Sequence, residues 1–383
     1  MPVGTDDLAV DRELSEIAGA LPLLQLITPI NVAEQRAKFE TGEVEAPNFE
    51  YRPMPDLSSL ASRLADVDPE RADDPAVAHL AAALKRALTT RLELLSSRGT
   101  PRFFLAAVEL FGHVDPDLYE LALDLTDLEP ESSGPGALSA QDFAATARRE
   151  IDRYRADYPE LAARVEVSET ISGVLVENGD LYIGSDTRIA SDHVDSLLQH
   201  EVGVHVLTYA NGSAQPLRML AVGLAGYDEN QEALGVLAEH LAGGLRRTRL
   251  RALAYRVVAA QMRSEDATFR QTYDLLQKLG AGRRIAFSTT MRAYRAGGLT
   301  KDAIYLRGLV RLCRHLAAGG DIERLFIGKV GLEDVALIAE LRQREVLGPP
   351  PLRPRFLDSP SARRRLDEIG AGANILHLTG ANT

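Results

Sequence analysis

Two histidines with four residues between them, in the run His200-Glu201-Val202-Gly203-Val204-His205, place a tight demand on the backbone that carries them. On a regular α-helix, at about 100° per residue, side chains five positions apart diverge by about 140°, too far to meet at one point. The commoner H-E-x-x-H spacing puts its two rings on one face, where they bind a single zinc ion. A π-bulge adds one residue to a turn and restores that shared face, and such bulges concentrate at functional sites. Gly203 lies inside the added turn, where a missing side chain and low helix propensity ease the distortion. The spacing therefore predicts a helix distorted around Gly203, and a regular helix there would contradict a shared metal.

The flanking residues frame this segment. Upstream, VEVSETISGVLVENGDLYIGSD (165–186) places Asn178-Gly179 between alternating apolar runs, the preferred pair for a type I′ hairpin turn because both central residues need positive φ. Ser191 or Asp192 is positioned to open the histidine helix, and Asn211-Gly212 to close it with a left-handed cap. A second helix is expected from Asp228, with Gln231 as its capping-box partner, to Gly243-Gly244.

Zinc at a catalytic site takes three protein ligands and keeps a position open for water. Glu232, early on the second helix, completes a His2Glu set with His200 and His205, one zinc per chain. Zinc brings the pKa of water from about 15.7 to about 7, and Glu201 stands as the general base that takes its proton. Glu239, two turns past Glu232, reads equally as a partner to a ligating histidine or as a solvated carboxylate. His193 lies about 10 Å along the axis from His200, too far to share an ion; His240 and Cys313 read as structural. GAGRR (280–284) and FIGKVG (326–331) lack phosphate-loop spacing.

Composition sets the limits. The 383 residues carry a net charge of −12, which argues against a broad nucleic-acid-binding face. A single cysteine excludes a disulfide framework and a thiolate-rich metal site. The acidic N-terminus lacks a signal peptide's features, and no apolar run reaches the roughly 18 residues of a membrane span, so the expectation is a cytoplasmic chain with no membrane partner. Ala, Leu and Arg recur at helical spacing, as in PAVAHLAAALKRALTTRLELLSS (75–97). The expected architecture is helix-rich α+β: a mostly helical region over 1–135, a zincin-like metallopeptidase domain with a small sheet over 136–356, and a weakly ordered tail over 357–383, with the break in EPESSGPGALSAQ (129–141).

The strings SGVLVENGDLYIG, LLQHEVGVHVLTYANGSAQPL, GLAGYDENQEALGVLAEHL and MRAYRAGGLTKDAIYLRGL resemble the flavohemoglobin expression-modulating QEGLA-motif family, whose animal relatives include the microtubule-associated tyrosine carboxypeptidases. The likeness runs from about residue 21 to 356 and is densest over 172–330. It implies zinc on His200, His205 and Glu232, catalysis by Glu201, and a peptide or protein C-terminus as substrate. The name-giving motif departs here to Gln231-Glu232-Ala233-Leu234-Gly235. A carboxypeptidase needs a cation for the terminal carboxylate, and Arg292, Arg295, Arg307 and Lys301 are the candidates. Tyr305 is a candidate for oxyanion support, and the strand Leu181 to Ile183 for pairing with substrate backbone. The abundance of Arg and Ala fits a GC-rich bacterial genome. Two alternatives stand beside this reading: a metal-containing regulatory or binding protein without turnover, and a peptidase that matures a small bacterial peptide.

Overall fold

The computed structural model describes residues 3–131, 136–169, 171 and 173–379. The break expected near residue 135 falls in 132–135, outside the described residues. Among the described residues helices dominate, with five short strands in two small sheets. Among the described residues no helix is long and apolar enough to cross a membrane.

Strands β1 (Ala137–Ser139) and β5 (Arg188–Ala190) form an antiparallel pair. The second sheet has the order β2-β4-β3, from β2 (Val165–Ser168), β3 (Val174–Glu177) and β4 (Asp180–Gly184), with β2 parallel and β3 antiparallel to β4. The β3–β4 hairpin turns as its sequence requires, with φ of 51° at Asn178 and 81° at Gly179. A Cβ on Gly179 would stand 2.4 Å from a ring carbon of Tyr209, so the turn also needs glycine to seat on the helix below.

Central placement of β4 corrects one expectation. Both of its edges are taken, and Leu181 and Ile183 are fully buried among Val202, Val206 and Leu207 of that helix. Each such side chain contributes roughly 2–3 kcal/mol by leaving water, a core role that removes both from contact with a substrate. The outer edges of the sheet belong to β2 and β3.

The helix under the sheet spans 194–213 and changes pitch in the middle: α-helical over Val194–His200, π-helical over Glu201–Val206, and α-helical again over Leu207–Ser213. It does not stop at Asn211-Gly212. Asn211 is fully buried inside the helix; its Nδ2 donates to the carbonyls of Phe326 (2.7 Å) and Leu352 (2.8 Å), and its Oδ1 accepts from the Leu352 amide at 2.9 Å. Gly212 is glycine for closeness, since a Cβ would lie 2.3 Å from the Leu220 carbonyl.

Helix Tyr227–Leu241 runs through the main apolar cluster with helices Arg247–Ser264 and Ile304–Ala317. Helix Pro116–Thr126 contributes Leu118, Ala122 and Leu125 to the same cluster, so packing continues across the region expected to hold the break. Farther upstream, the Asp11 carboxylate on helix Thr5–Gly19 accepts from the Arg218 and Met219 amides, both at 2.8 Å. The expected opening cap at Asp228 is also corrected: the helix begins at Tyr227 after a left-handed Gly226, and Asp228 instead pairs with Arg91 and Lys301. Beyond 357 the chain is docked rather than loose. Helix Pro360–Gly370 buries Ala362 and Ile369, Ile375 and Leu378 join the same core, and the Leu378 carbonyl lies 2.7 Å from His240 Nδ1. Residues 380–383 lie outside the described residues.

Replacing Asn211 with alanine strands two buried carbonyls and one amide, and is expected to cost roughly 3 kcal/mol. Urea denaturation measures it; a loss under 1 kcal/mol would show that the clasp is dispensable.

Candidate metal centre

The π-turn does what the spacing requires. It turns the His200 and His205 rings toward each other, with centroids 5.0 Å apart. Ligand atoms of His200, His205 and Glu232 all lie within 4.8 Å of one another, His205 Nε2 being 4.0 Å from Glu232 Oε2. Gly203 serves twice: it eases the wide turn, and a Cβ there would stand 2.8 Å from Gln199 Oε1 and 3.2 Å from the Phe356 ring.

Each imidazole is oriented from behind. His200 Nδ1 lies 2.8 Å from Glu239 Oε1, which leaves Nε2 for the shared point. Glu239 is held in turn by Arg249, with Nε 3.2 Å from both carboxylate oxygens. This carboxylate–histidine arrangement fixes ring and tautomer in metal sites. His205 Nδ1 is 3.5 Å from Gln231 Oε1, which Thr208 fixes with a 2.8 Å hydrogen bond. The altered motif has a steric reason: a Cβ at Gly235 would sit 2.4 Å from His200 Cε1, while Ala233 packs beside Gly308 of the neighbouring helix. Two imidazole nitrogens and a carboxylate oxygen, with each ring fixed from behind, form a donor set that zinc accepts.

Electrostatics divides the acids. Burial pushes the Glu201 carboxyl up to about 7, as do Glu232 and Glu239, against the opposing pull of His200. Burial works the same way on Glu239, but Arg249 and His200 outweigh it and hold that carboxyl at about 2. At Glu232 burial is outweighed by Lys301, the two histidines and a hydrogen bond from Tyr305, and the pKa falls. Burial and the neighbouring His200 push His205 down to about 4. Burial and the Glu232 charge raise Tyr305 to about 12, so its hydroxyl keeps its proton.

Of the residues expected at the site, the structure brings together His200, His205, Glu201, Glu232 and Tyr305. Three of the four expected carboxylate clamps are committed elsewhere. Arg292 makes a two-pronged ion pair with Asp302, Arg307 holds Glu229 and the Phe111 and His113 carbonyls, and Lys301 lies 3.1 Å from Asp228. Arg295 is 5 % exposed; among the described residues its one hydrogen bond is a 3.5 Å contact to Thr28 Oγ1, and its enclosed Nε meets no acceptor. Arg249 and Arg256 were not anticipated, since both lie among several arginines of helix Arg247–Ser264 with nothing local to single them out.

Fold and site together define a helix-rich α+β protein with a partly buried His-His-Glu cluster under a small sheet. A family model described as microtubule-associated tyrosine carboxypeptidase matches residues 37–373, and the chain belongs to that family. The human protein microtubule-associated tyrosine carboxypeptidase 1 is 28 % identical over 188 residues, which cover 45 % of this chain and 39 % of the human one. The chain therefore spans well under half of that relative's length. A solved structure of a protein from Colwellia psychrerythraea described as a lipoprotein covers 92 % of this chain and 69 % of its own, at 13 % identity and a TM-score of 0.41, a likeness too slight to bear on the fold.

Asp302 lies among Arg292, Arg256 and Arg295, which overcome the cost of its burial and hold its carboxyl far below the usual range. Its stabilisation is therefore present above the unfolded carboxylate pKa of about 4 and lost as pH falls toward the folded value. Asp302→Asn leaves those cations uncompensated and is expected to cost roughly 3–5 kcal/mol at pH 7, with a smaller penalty in acid. Thermal unfolding from pH 3 to 8 checks this; a penalty independent of pH would refute it.

Proposed function

We propose that the chain is a zinc-dependent metallopeptidase that removes a residue from the C-terminus of a peptide or protein, with a zincin-like arrangement of helix and sheet. The observation that carries it is the π-turn that gathers His200, His205 and Glu232 while setting Glu201 beside them. Family membership supports carboxypeptidase character. When bound, zinc supplies Lewis acidity and makes a hydroxide-like nucleophile accessible near neutral pH.

The chain's own residues supply the rest. Glu201, in a buried setting that raises its proton affinity, takes a proton from water and returns it to the departing amine. Tyr305 keeps its hydroxyl proton and is a donor for the oxygen on which negative charge develops. The substrate backbone is received along β3 rather than β4. Pairing of Glu177 with Asp180 across the two-residue turn, and of Gly173 with Gly184, directs the amides and carbonyls of Val174 and Val176 away from β4. An extended peptide can add to that edge.

The regulatory alternative calls for a closed site with four protein ligands. Among the described residues three donors cluster, which favours turnover.

Zinc-loaded Glu201→Gln protein is expected to keep one zinc per chain and lose at least about 100-fold in turnover of a peptide library varied at its C-terminus, read by mass. Full turnover with zinc retained would sink the mechanism. Glu239→Gln is expected to weaken zinc binding by roughly 10- to 100-fold in a chelator competition, and unchanged affinity would remove Glu239 from the site.

A further inference from the structure

A carboxypeptidase must meet the terminal carboxylate about one residue beyond the bond it cuts, and the residues first expected there are committed or enclosed. Arg256 is different. Its guanidinium has no hydrogen-bond or ion-pair partner among the described residues, and its Nη1 is enclosed without an acceptor. Its recorded contact is a stack over the Tyr305 ring, with Cζ 4.6 Å from the centroid. The hydroxyl of that ring lies near enough to Glu232 to help hold its carboxylate ionised. Arg256 thus lies one aromatic ring away from the donor cluster. A terminal residue spans about 3.8 Å, and a two-pronged carboxylate contact adds roughly 4 Å between carbon centres, a reach that matches the length of a stacked tyrosine.

The surroundings explain why this arginine waits for a partner. Arg249, Arg256, Arg292 and Arg295 gather in this half of the site against Glu239 and Asp302, and each of those acids already has its own arginine. Burial and the Arg292 charge lower the proton affinity of Arg256. A partly buried guanidinium among like charges gains more from an incoming carboxylate than one already paired. Stacking fixes the plane of the fork, so little freedom is lost when two parallel hydrogen bonds form.

We infer that Arg256, held flat by Tyr305, receives the terminal carboxylate of the peptide and makes the site selective for free C-termini. This rests on the peptidase reading above. Arg292 and Arg295 add charge behind it, and Tyr305 links the carboxylate seat to Glu232.

The test measures binding, so it does not depend on turnover. Zinc-loaded full-length Glu201→Gln protein is titrated with two pools of hexapeptides varied at the last two positions, one with free carboxylates and one amidated. Preference for the free acid of 30-fold or more is expected, falling to threefold or less when Arg256→Gln is added and partly recovering with Arg256→Lys. Arg256→Gln also removes one of the charges beside Asp302, so a modest fall in thermal stability is expected, and Arg256→Lys, which keeps that charge, separates it from loss of the carboxylate seat. Preference that survives Arg256→Gln overturns the inference and leaves the peptidase reading intact. Preference that depends on Arg256 in a protein whose Glu201 form turns over neither pool upholds the seat and overturns the peptidase reading. Absence of preference, or of binding by either pool, overturns the inference, and turnover by the Glu201 form then decides the peptidase reading separately.

Discussion

The one-residue excess between His200 and His205 is the constraint around which the structure is arranged. A helix that widens over Glu201–Val206 must be held there, because its backbone geometry is less favourable than the regular turns on either side. The restraint comes from three directions. Val202 and Val206 lock into the cluster beneath the sheet, Val204 into the main helical cluster, and the Phe356 ring fills the space left by Gly203. Beyond the turn, Asn211 ties the helix to two loops more than 100 residues away in sequence, so the distorted segment is clamped at its exit as well. Distortion and donor set are thus one feature.

Around that turn the same functional group is put to opposite uses by its surroundings. Glu201 and Glu239 are both buried carboxylates. Glu239 meets Arg249 and His200 directly and stays ionised, so it can orient an imidazole. At Glu201 the pull of His200 and Arg249 does not offset burial and the Glu232 and Glu239 charges, and the carboxyl is pushed toward neutrality, where a group can both accept and release a proton. The arginines obey the same rule. Where a carboxylate is engaged directly, as for Arg292 and Arg307, the side chain is structural; Arg256, whose neighbour Asp302 is already paired with Arg292, keeps charge for a ligand.

Local signals carried much of this. The π-turn followed from counting degrees per residue, and the hairpin from Asn178-Gly179. Glu232 was singled out by its place early on the next helix, whereas the spacing of Glu239 left a histidine partner and a solvated carboxylate equally open. Signals with two physical explanations were the ones that misled. Asn211-Gly212 has the composition of a helix end, but there the amide side chain clasps distant backbone and the glycine permits close packing. Asp228 has a capping residue's chemistry but faces Arg91 and Lys301. Leu181 and Ile183 alternate as an edge strand would, and β2, from before the hairpin, covers the side that the hairpin leaves open. Which arginine is left unpaired depends on contacts between helices far apart in sequence, so Arg249 and Arg256 had no local signature.

The account stands or falls on whether both histidines of the π-turn and Glu232 hold one ion. X-ray absorption at the zinc edge, on full-length protein loaded with one equivalent, measures this directly. The expected spectrum has a first shell of nitrogen and oxygen at about 2.0–2.1 Å, with outer-shell scattering from two imidazoles that falls to one in His205→Ala. A spectrum with a single imidazole in the unaltered protein, or one unchanged by His205→Ala, would contradict it.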